Sequence, residues 1–257
     1  MSLDTETALR VAEVRRLLDE SRRLLFITGA GLSADAGLPT YRGVGGIYDS
    51  KNTDHGIPIE VALSGPTFRR DPELTWRYIH EIEQACRGAR PAFGHEYLAR
   101  LEATHEVVIL TQNVDGLHHA AGSSRVIAIH GDLRALRCTA CDWRERVEDY
   151  AHLSPFPHCE ACGAVLRPDV VLFEEMLPLD AVDALQTELA RGFDLILSVG
   201  TSAVFPYIAG PVMQAARAGR PTVEVNPTRT MISGVVSHRL PLTAAVAFEA
   251  IEALGAG

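Results

Sequence analysis

The stretch LLFITGAGLSA (residues 24–34) decides the reading of this chain. Leu24 to Thr28 form an unbroken apolar run of the kind buried inside a sheet, and the run leads straight into Gly29-Ala30-Gly31-Leu32-Ser33-Ala34, a G-x-G-x-x-A turn. Small residues at a strand-to-helix turn let the backbone come close to a pyrophosphate. They also serve simply to pack a helix against a strand, so the turn alone does not establish nucleotide binding. The acidic residue expected about 20 positions further on, after a second strand, is missing. A dinucleotide held here would need another grip on its ribose.

Working outward, further apolar runs repeat the pattern: VVILT (107–111), VIAI (126–129), LILSV (195–199) and TVEV (222–225). Helical patterns alternate with them over residues 93–103, 180–191 and 207–218, and the first 20 residues suggest an amphipathic helix opened by Asp4 or Thr5. Buried strands separated by helices predict an α/β fold with a doubly wound, Rossmann-like parallel sheet. Two stretches break the alternation. Residues 44–90 are polar with one helical pattern, 72–86, and residues 135–167 hold two CxxC pairs and little apolar content. The expected division is therefore a main domain of 1–43, 91–134 and 168–257, with 44–90 and 135–167 forming a smaller lobe.

The 257 residues are 47% hydrophobic and 22% charged, an ordinary globular composition. Thirty-three acidic against 24 basic residues give a net charge of −9, which argues against a broad nucleic-acid-binding surface. The start, MSLDTETALRVAEVRR, lacks the apolar segment of a secretory signal. Leu195 to Ala216 run 22 residues without a charge, but Gly200, Pro206, Gly210 and Pro211 interrupt them, so they read as strand, turn and helix rather than a membrane span. The expectation is a cytoplasmic chain that enters no membrane.

Cys138-x-x-Cys141 and Cys159-x-x-Cys162 stand 17 residues apart, a spacing that can close four thiolates around one tetrahedral zinc. Four sulfurs leave no open coordination position, so such a site is structural; redox dithiols are the competing reading. Cys86 stands alone and reads as a small buried apolar residue. A polar cluster falls where the strands end: Gln112, Asn113, Asp115 and His118 follow VVILT, His130 follows VIAI, Gly200-Thr201-Ser202 follow LILSV, and Asn226 follows TVEV. In open α/β sheets, ligands sit at the carboxyl ends of the strands, so these residues should face one crevice. A histidine there can serve as a base near neutral pH.

Taken in order, GAGLSADAGLPTYRG (29–43), TQNVDGLH (111–118), IHGDL (129–133), the paired CxxC module and VGTS (199–202) resemble the sirtuins, the NAD-dependent protein lysine deacylases. The resemblance implies a Rossmann-like domain and a small lobe made of a zinc ribbon and a helical module, with NAD and an acyl-lysine peptide entering between them. It implies that Gly29, Ala30, Gly31, Asp35 and Arg42 hold the pyrophosphate and ribose. Gln112, Asn113, Val114 and Asp115 would surround the nicotinamide end, and Gly200, Thr201, Ser202, Asn226 and Leu242 the adenosine half. His130 would be the catalytic base, assisted by Asn113. Val170, Val171 and Phe173 would pair with the substrate peptide as an added strand. Cys138, Cys141, Cys159 and Cys162 would hold one structural zinc ion.

The implied products are nicotinamide, O-acyl-ADP-ribose and free lysine. Mono-ADP-ribosyl transfer and a non-catalytic NAD sensor are the alternatives, and a monomer is expected. Three departures bear on detail. Tyr41 stands where the family usually has phenylalanine, and Glu174 where it has glycine. Members that remove acidic acyl groups carry a Tyr-x-x-Arg pair, and here those positions are Ile79 and Ile82, which predicts neutral acyl groups.

Overall fold

The computed structural model describes residues 3–39, 53 and 56–255. Helix α1 (Thr5–Glu20) begins where the Asp4 carboxylate accepts the Thr7 amide at 2.9 Å. Strand β1 (Arg23–Thr28) is buried along its whole length and passes through Gly29 into the short α2 (Ala30–Ala34). Next come α3 (Ile59–Ala62), α4 (Gly65–Arg70), α5 (Pro72–Cys86) and α6 (Phe93–Leu101). Strand β2 (Glu106–Thr111), α7 (Leu117–Ala120) and β3 (Val126–Ala128) lead to β4 (Gly131–Cys138), β5 (Arg144–Arg146) and β6 (Leu166–Val170). The chain ends with α8 (Leu179–Arg191), β7 (Leu195–Val199), α9 (Pro206–Arg217), β8 (Thr222–Val225), β9 (His238–Leu240) and α10 (Ala244–Ala253).

Six strands form the main sheet in the order β3-β2-β1-β7-β8-β9, and every pairing is parallel. Side chains alternate between the two faces. Leu24, Phe26, Ile109, Leu197 and Val223 pack with α1, α6 and α10 on one face. Leu25, Ile27, Val108, Leu110 and Ile196 pack with Leu185 of α8 and Ile208 and Val212 of α9 on the other. Burying an aromatic such as Phe26 or Phe248, both fully buried, contributes about 1.5–3 kcal/mol each. Because both faces are covered, the strands read as continuous apolar runs rather than as alternating ones. The strand order reverses between β1 and β7, so a crevice opens at their carboxyl ends.

A second sheet, antiparallel and ordered β5-β4-β6, shares a core with the helices α3 to α5. Trp76 is fully buried there and donates its indole N–H to the Leu166 carbonyl at 2.7 Å. Leu136, Tyr150, Phe68 and Ile79 complete this core. The chain passes from the first sheet to the second through His130 and Gly131. Gly131 has φ +83°, and a Cβ there would lie 1.9 Å from the Asp169 carbonyl oxygen.

Gly131→Ala therefore meets both a backbone clash and a disfavoured φ. Calorimetric unfolding should show a loss of about 3 kcal/mol, roughly 6–12 °C in Tm. An unchanged Tm would contradict the packing described.

Candidate active site and metal centre

The crevice is built on a backbone contact. Gly29 donates its amide to Val199 O at 3.1 Å, Gly31 to Gly200 O at 2.8 Å, and Gly200 to Val225 O at 3.0 Å. A Cβ on Gly29 would fall 2.7 Å from Thr201 Cβ, and one on Gly31 would fall 2.7 Å from Gly200 Cα. Gly200 itself has φ +61°. The ends of β1 and β7 thus meet without room for side chains, which leaves a bare backbone floor. Ala30 follows on α2, half-buried.

Polar side chains from the β2 end rise over this floor. Gln112 donates to Thr201 Oγ1 at 2.8 Å, and Asn113 Nδ2 donates to Gly29 O and to Ser33 Oγ, each at 3.0 Å. Ser33 in turn donates to Asp115 Oδ2 at 2.7 Å, and the other Asp115 oxygen accepts the Leu117 amide at 2.9 Å. Asn226 donates to Thr201 O at 3.2 Å, while the Val114 carbonyl accepts the Leu133 amide. Each of these side chains is thereby oriented by a neighbour rather than left free.

The other residues singled out from the sequence are distributed around this set. Ser202 is exposed, and Leu242 packs half-buried on the core under the sheet. Asp35 accepts the Ala245 amide at 2.7 Å and so ties the glycine turn to the start of α10. Arg42 and Tyr41 lie outside the described residues. His118 belongs to the support of the site rather than to its open surface. It is 2% exposed, its Nε2 lies 2.9 Å from Thr28 Oγ1, and its ring centroid is 5.0 Å from that of His95. Burial, reinforced by His95 and His119, pushes His118 down to about 3, so it stays neutral.

His130 follows β3 and is half-buried in the crevice. Its Nδ1 lies 3.0 Å from the Gln112 carbonyl oxygen and its Nε2 2.8 Å from the Tyr207 hydroxyl. Burial lowers its proton affinity below the usual histidine range, and the Gln112 carbonyl partly offsets this. The ring is therefore neutral and capable of accepting a proton at pH 7.

The segment after β6 runs beside this histidine. Val171 donates its amide to His130 O at 2.9 Å, and Phe173 exchanges amide and carbonyl bonds with Leu63 and Gly65, each at 2.9 Å. Arg167, 5% exposed, grips Glu175 with two bonds of 2.7 and 2.9 Å and donates to the Val170 carbonyl at 2.7 Å. Glu175 also accepts the Leu172 amide. Between them Glu174 adopts φ +64°, so the conformation natural to glycine survives the replacement at about 1–2 kcal/mol of strain. Among the described residues, Ala203 (φ +53°) on the β7 loop is the other non-glycine in this region. Strained backbone concentrates at functional sites; the Ala203 amide donates to Thr201 Oγ1 at 3.2 Å at the crevice floor, and Glu174 directly follows Phe173.

Sequence reading missed three contributors. Ser33 was visible inside the glycine-rich turn as a hydroxyl between Asn113 and Asp115. The Arg167–Glu175 pair and Tyr207 had no local signal, because their partners are brought together only by the fold.

Cys138, Cys141, Cys159 and Cys162 come together at the end of the second sheet. Their sulfurs all lie within 4.8 Å of one another. A tetrahedral zinc with Zn–S near 2.3 Å places sulfurs about 3.8 Å apart, and here Cys138 and Cys162 are 3.4 Å apart and Cys141 and Cys159 3.7 Å. The donor set fits a structural zinc and leaves no position for a substrate. Elemental analysis should find one zinc per chain, and Cys159→Ser should remove it and lower Tm. Full occupancy in that variant would contradict a four-sulfur site.

Among the described residues no helix is long and apolar enough to cross a membrane. The sequence profile of the Sir2 family matches residues 29–206. NAD-dependent protein deacylase 2 of Pseudomonas aeruginosa is 52% identical, over 90% of this chain and 91% of that protein. A mutant Sir2 homologue solved in complex with 2′-O-acetyl-ADP-ribose is 35% identical, covers 95% of this chain and 96% of its own, and superposes with a TM-score of 0.84. A Sir2–p53 peptide–NAD+ structure is 30% identical over 95% of this chain and 98% of its own, with a TM-score of 0.81. With the profile spanning the glycine turn, the polar set, His130 and the four cysteines, this chain belongs to the Sir2 family.

Proposed function

We propose that this chain is an NAD-dependent protein lysine deacylase that releases nicotinamide, free lysine and O-acyl-ADP-ribose. One observation carries the reading: a neutral, half-buried His130 shares a crevice with the three-glycine floor and the Gln112–Asn113–Ser33–Asp115 network. NAD, when bound, supplies an electrophilic ribose carbon on loss of nicotinamide and carries the acyl group away. The relatives' names and complexes support the same chemistry.

In this proposal residues 1–43, 91–134 and 168–257 form the Rossmann-like domain, and 44–90 with 135–167 form the small lobe. Gly29, Ala30, Gly31, Gly200, Thr201, Ser202 and Asn226 hold the pyrophosphate and adenosine half, with Asp35, Arg42 and Leu242 closing around it. Gln112, Asn113, Val114 and Asp115 hold the nicotinamide end, Asn113 beside the reacting carbon. His130 takes a ribose hydroxyl proton at Nε2, the nitrogen that carries the lone pair in its neutral Nδ1–H form. Val170, Val171 and Phe173 pair with the peptide, for which the related peptide complex is a precedent. The zinc, held by the four cysteines, would stiffen the small lobe and make no bonds to substrate. Four thiolates persist in a reducing compartment, and we place the chain in the cytoplasm as a monomer.

The acyl group should be neutral. Ile79 is 2% exposed in the small-lobe core, and Ile82 packs against the same cluster as Phe173. Neither isoleucine offers a charge, and burying an unpaired carboxylate there is costly. Butyryl-lysine peptide should therefore outpace succinyl-lysine peptide by at least about 10²-fold in kcat/KM. Comparable rates would contradict the assignment.

His130→Ala should lower deacylation by about 10²–10⁴-fold while NAD binding persists. A variant with wild-type turnover would overturn the role of His130. The pH profile follows from the direction of its shift. A base must be unprotonated, and burial lowers its proton affinity, so the acid limb of kcat/KM should lie below the ordinary histidine value of about 6.5.

A further inference from the structure

His130 is gripped at both ring nitrogens, and the two grips differ in kind. The Gln112 carbonyl, 3.0 Å from Nδ1, has no proton to give, so Nδ1 carries the hydrogen and Nε2 carries the lone pair. The Tyr207 hydroxyl, 2.8 Å from Nε2, is therefore the donor in the neutral state. Tyr207 is the second residue of α9, and its ring stacks on Phe205 with centroids 5.3 Å apart and planes 11° apart. Both aromatic rings stand across the imidazole, Phe205 at 86° and Tyr207 at 84°.

Burial and the Gln112 carbonyl set the proton affinity of His130, with no charged side chain among the described residues contributing. From the segment after β6, the contact is the Val171 amide on the His130 carbonyl, and from α9 the titratable group is Tyr207 itself. A catalytic imidazole backed by a carboxylate has that charge to stabilise the imidazolium; this one has a phenol. Once Nε2 is protonated, its N–H needs an acceptor in a half-buried site, and the Tyr207 oxygen is within reach. A phenol can give up its donor role and accept instead. Hydrogen bonds to an ionised partner are roughly twice as strong as neutral ones, so this contact favours the charged imidazole over the neutral one.

We propose that Tyr207 is a positioning residue for His130, holding Nε2 toward the crevice and accepting its hydrogen bond once Nε2 has taken a proton. The ribose part of this inference rests on the deacylase reading; the part concerning the proton affinity of His130 does not. In the step itself the Tyr207 O–H first turns off the Nε2 lone pair, then the ribose O–H bond breaks and the Nε2–H bond forms. Tyr207 keeps its own proton throughout and changes only from donor to acceptor.

The test is a ¹⁵N-histidine NMR titration of the ligand-free protein, wild type against Tyr207→Phe, with the His130 signal identified from His130→Ala. Losing the phenol costs the imidazolium more than the neutral ring, so His130 should titrate about half a unit to one unit lower in Tyr207→Phe. In turnover, the acid limb of kcat/KM should move down with it, kcat should fall about 3–30-fold and KM for NAD should hold. In the His130→Ala background, Tyr207→Phe should cost nothing further. An unchanged or raised His130 titration overturns the proposal, as does a kcat loss that persists without His130. A wild-type protein inactive on every acyl peptide, with the titration shift intact, would sink the deacylase reading and leave the pairing of Tyr207 with His130 standing.

Discussion

The contact on which the site depends is the meeting of two backbones at the carboxyl ends of β1 and β7. Gly31 and Gly200 approach so closely that a Cβ on either would sit inside 2.8 Å of the other's backbone. The parallel order β3-β2-β1-β7-β8-β9 brings those ends together and reverses direction there. Because no side chain fills the floor, the polar groups above it find partners on backbone and on each other: Asn113 on Gly29, Gln112 on Thr201, Asn226 on Thr201. A rigid sheet therefore fixes the crevice, and its chemistry is carried by loops.

His130 links that crevice to the second sheet. It stands between β3, which ends in the main sheet, and Gly131, which begins β4. Its carbonyl accepts from Val171, so the same residue anchors the segment on which we place the peptide. The Arg167–Glu175 pair clamps that segment from the far side, and Glu174 is held in a left-handed turn between its two ends. A buried ion pair of this kind is costly to break because it leaves a charge stranded. The four cysteines lie at the other end of β4 and beyond, so a zinc there would stiffen the strand that starts at the base.

Much of this was legible in the residue order, for physical reasons. The five apolar runs became strands because burial on both faces demands continuous apolar sequence, and Pro72 to Cys86 became a helix with the bounds its pattern suggested. Strand β9 escaped notice because only Leu240 of its three residues is buried and it sits at the sheet edge. Helix α10, AAVAFEAIEA, is so rich in small apolar residues that its periodicity is faint. The site divided in the same way. Residues at strand ends, from Gln112 to Asn226, could be placed by chain order alone. Tyr207 and the Arg167–Glu175 pair could not, since contacts between loops of different strands leave no periodic trace.

The central claim is that acyl transfer from lysine in this crevice consumes NAD. Mass spectrometry of acetyl-lysine and butyryl-lysine peptides, incubated with the purified protein with and without NAD, tests it most directly. The account predicts free lysine peptide and O-acyl-ADP-ribose in equal amounts, and only when NAD is present. Lysine released without NAD, or NAD consumed to ADP-ribose with both peptides intact, would contradict it.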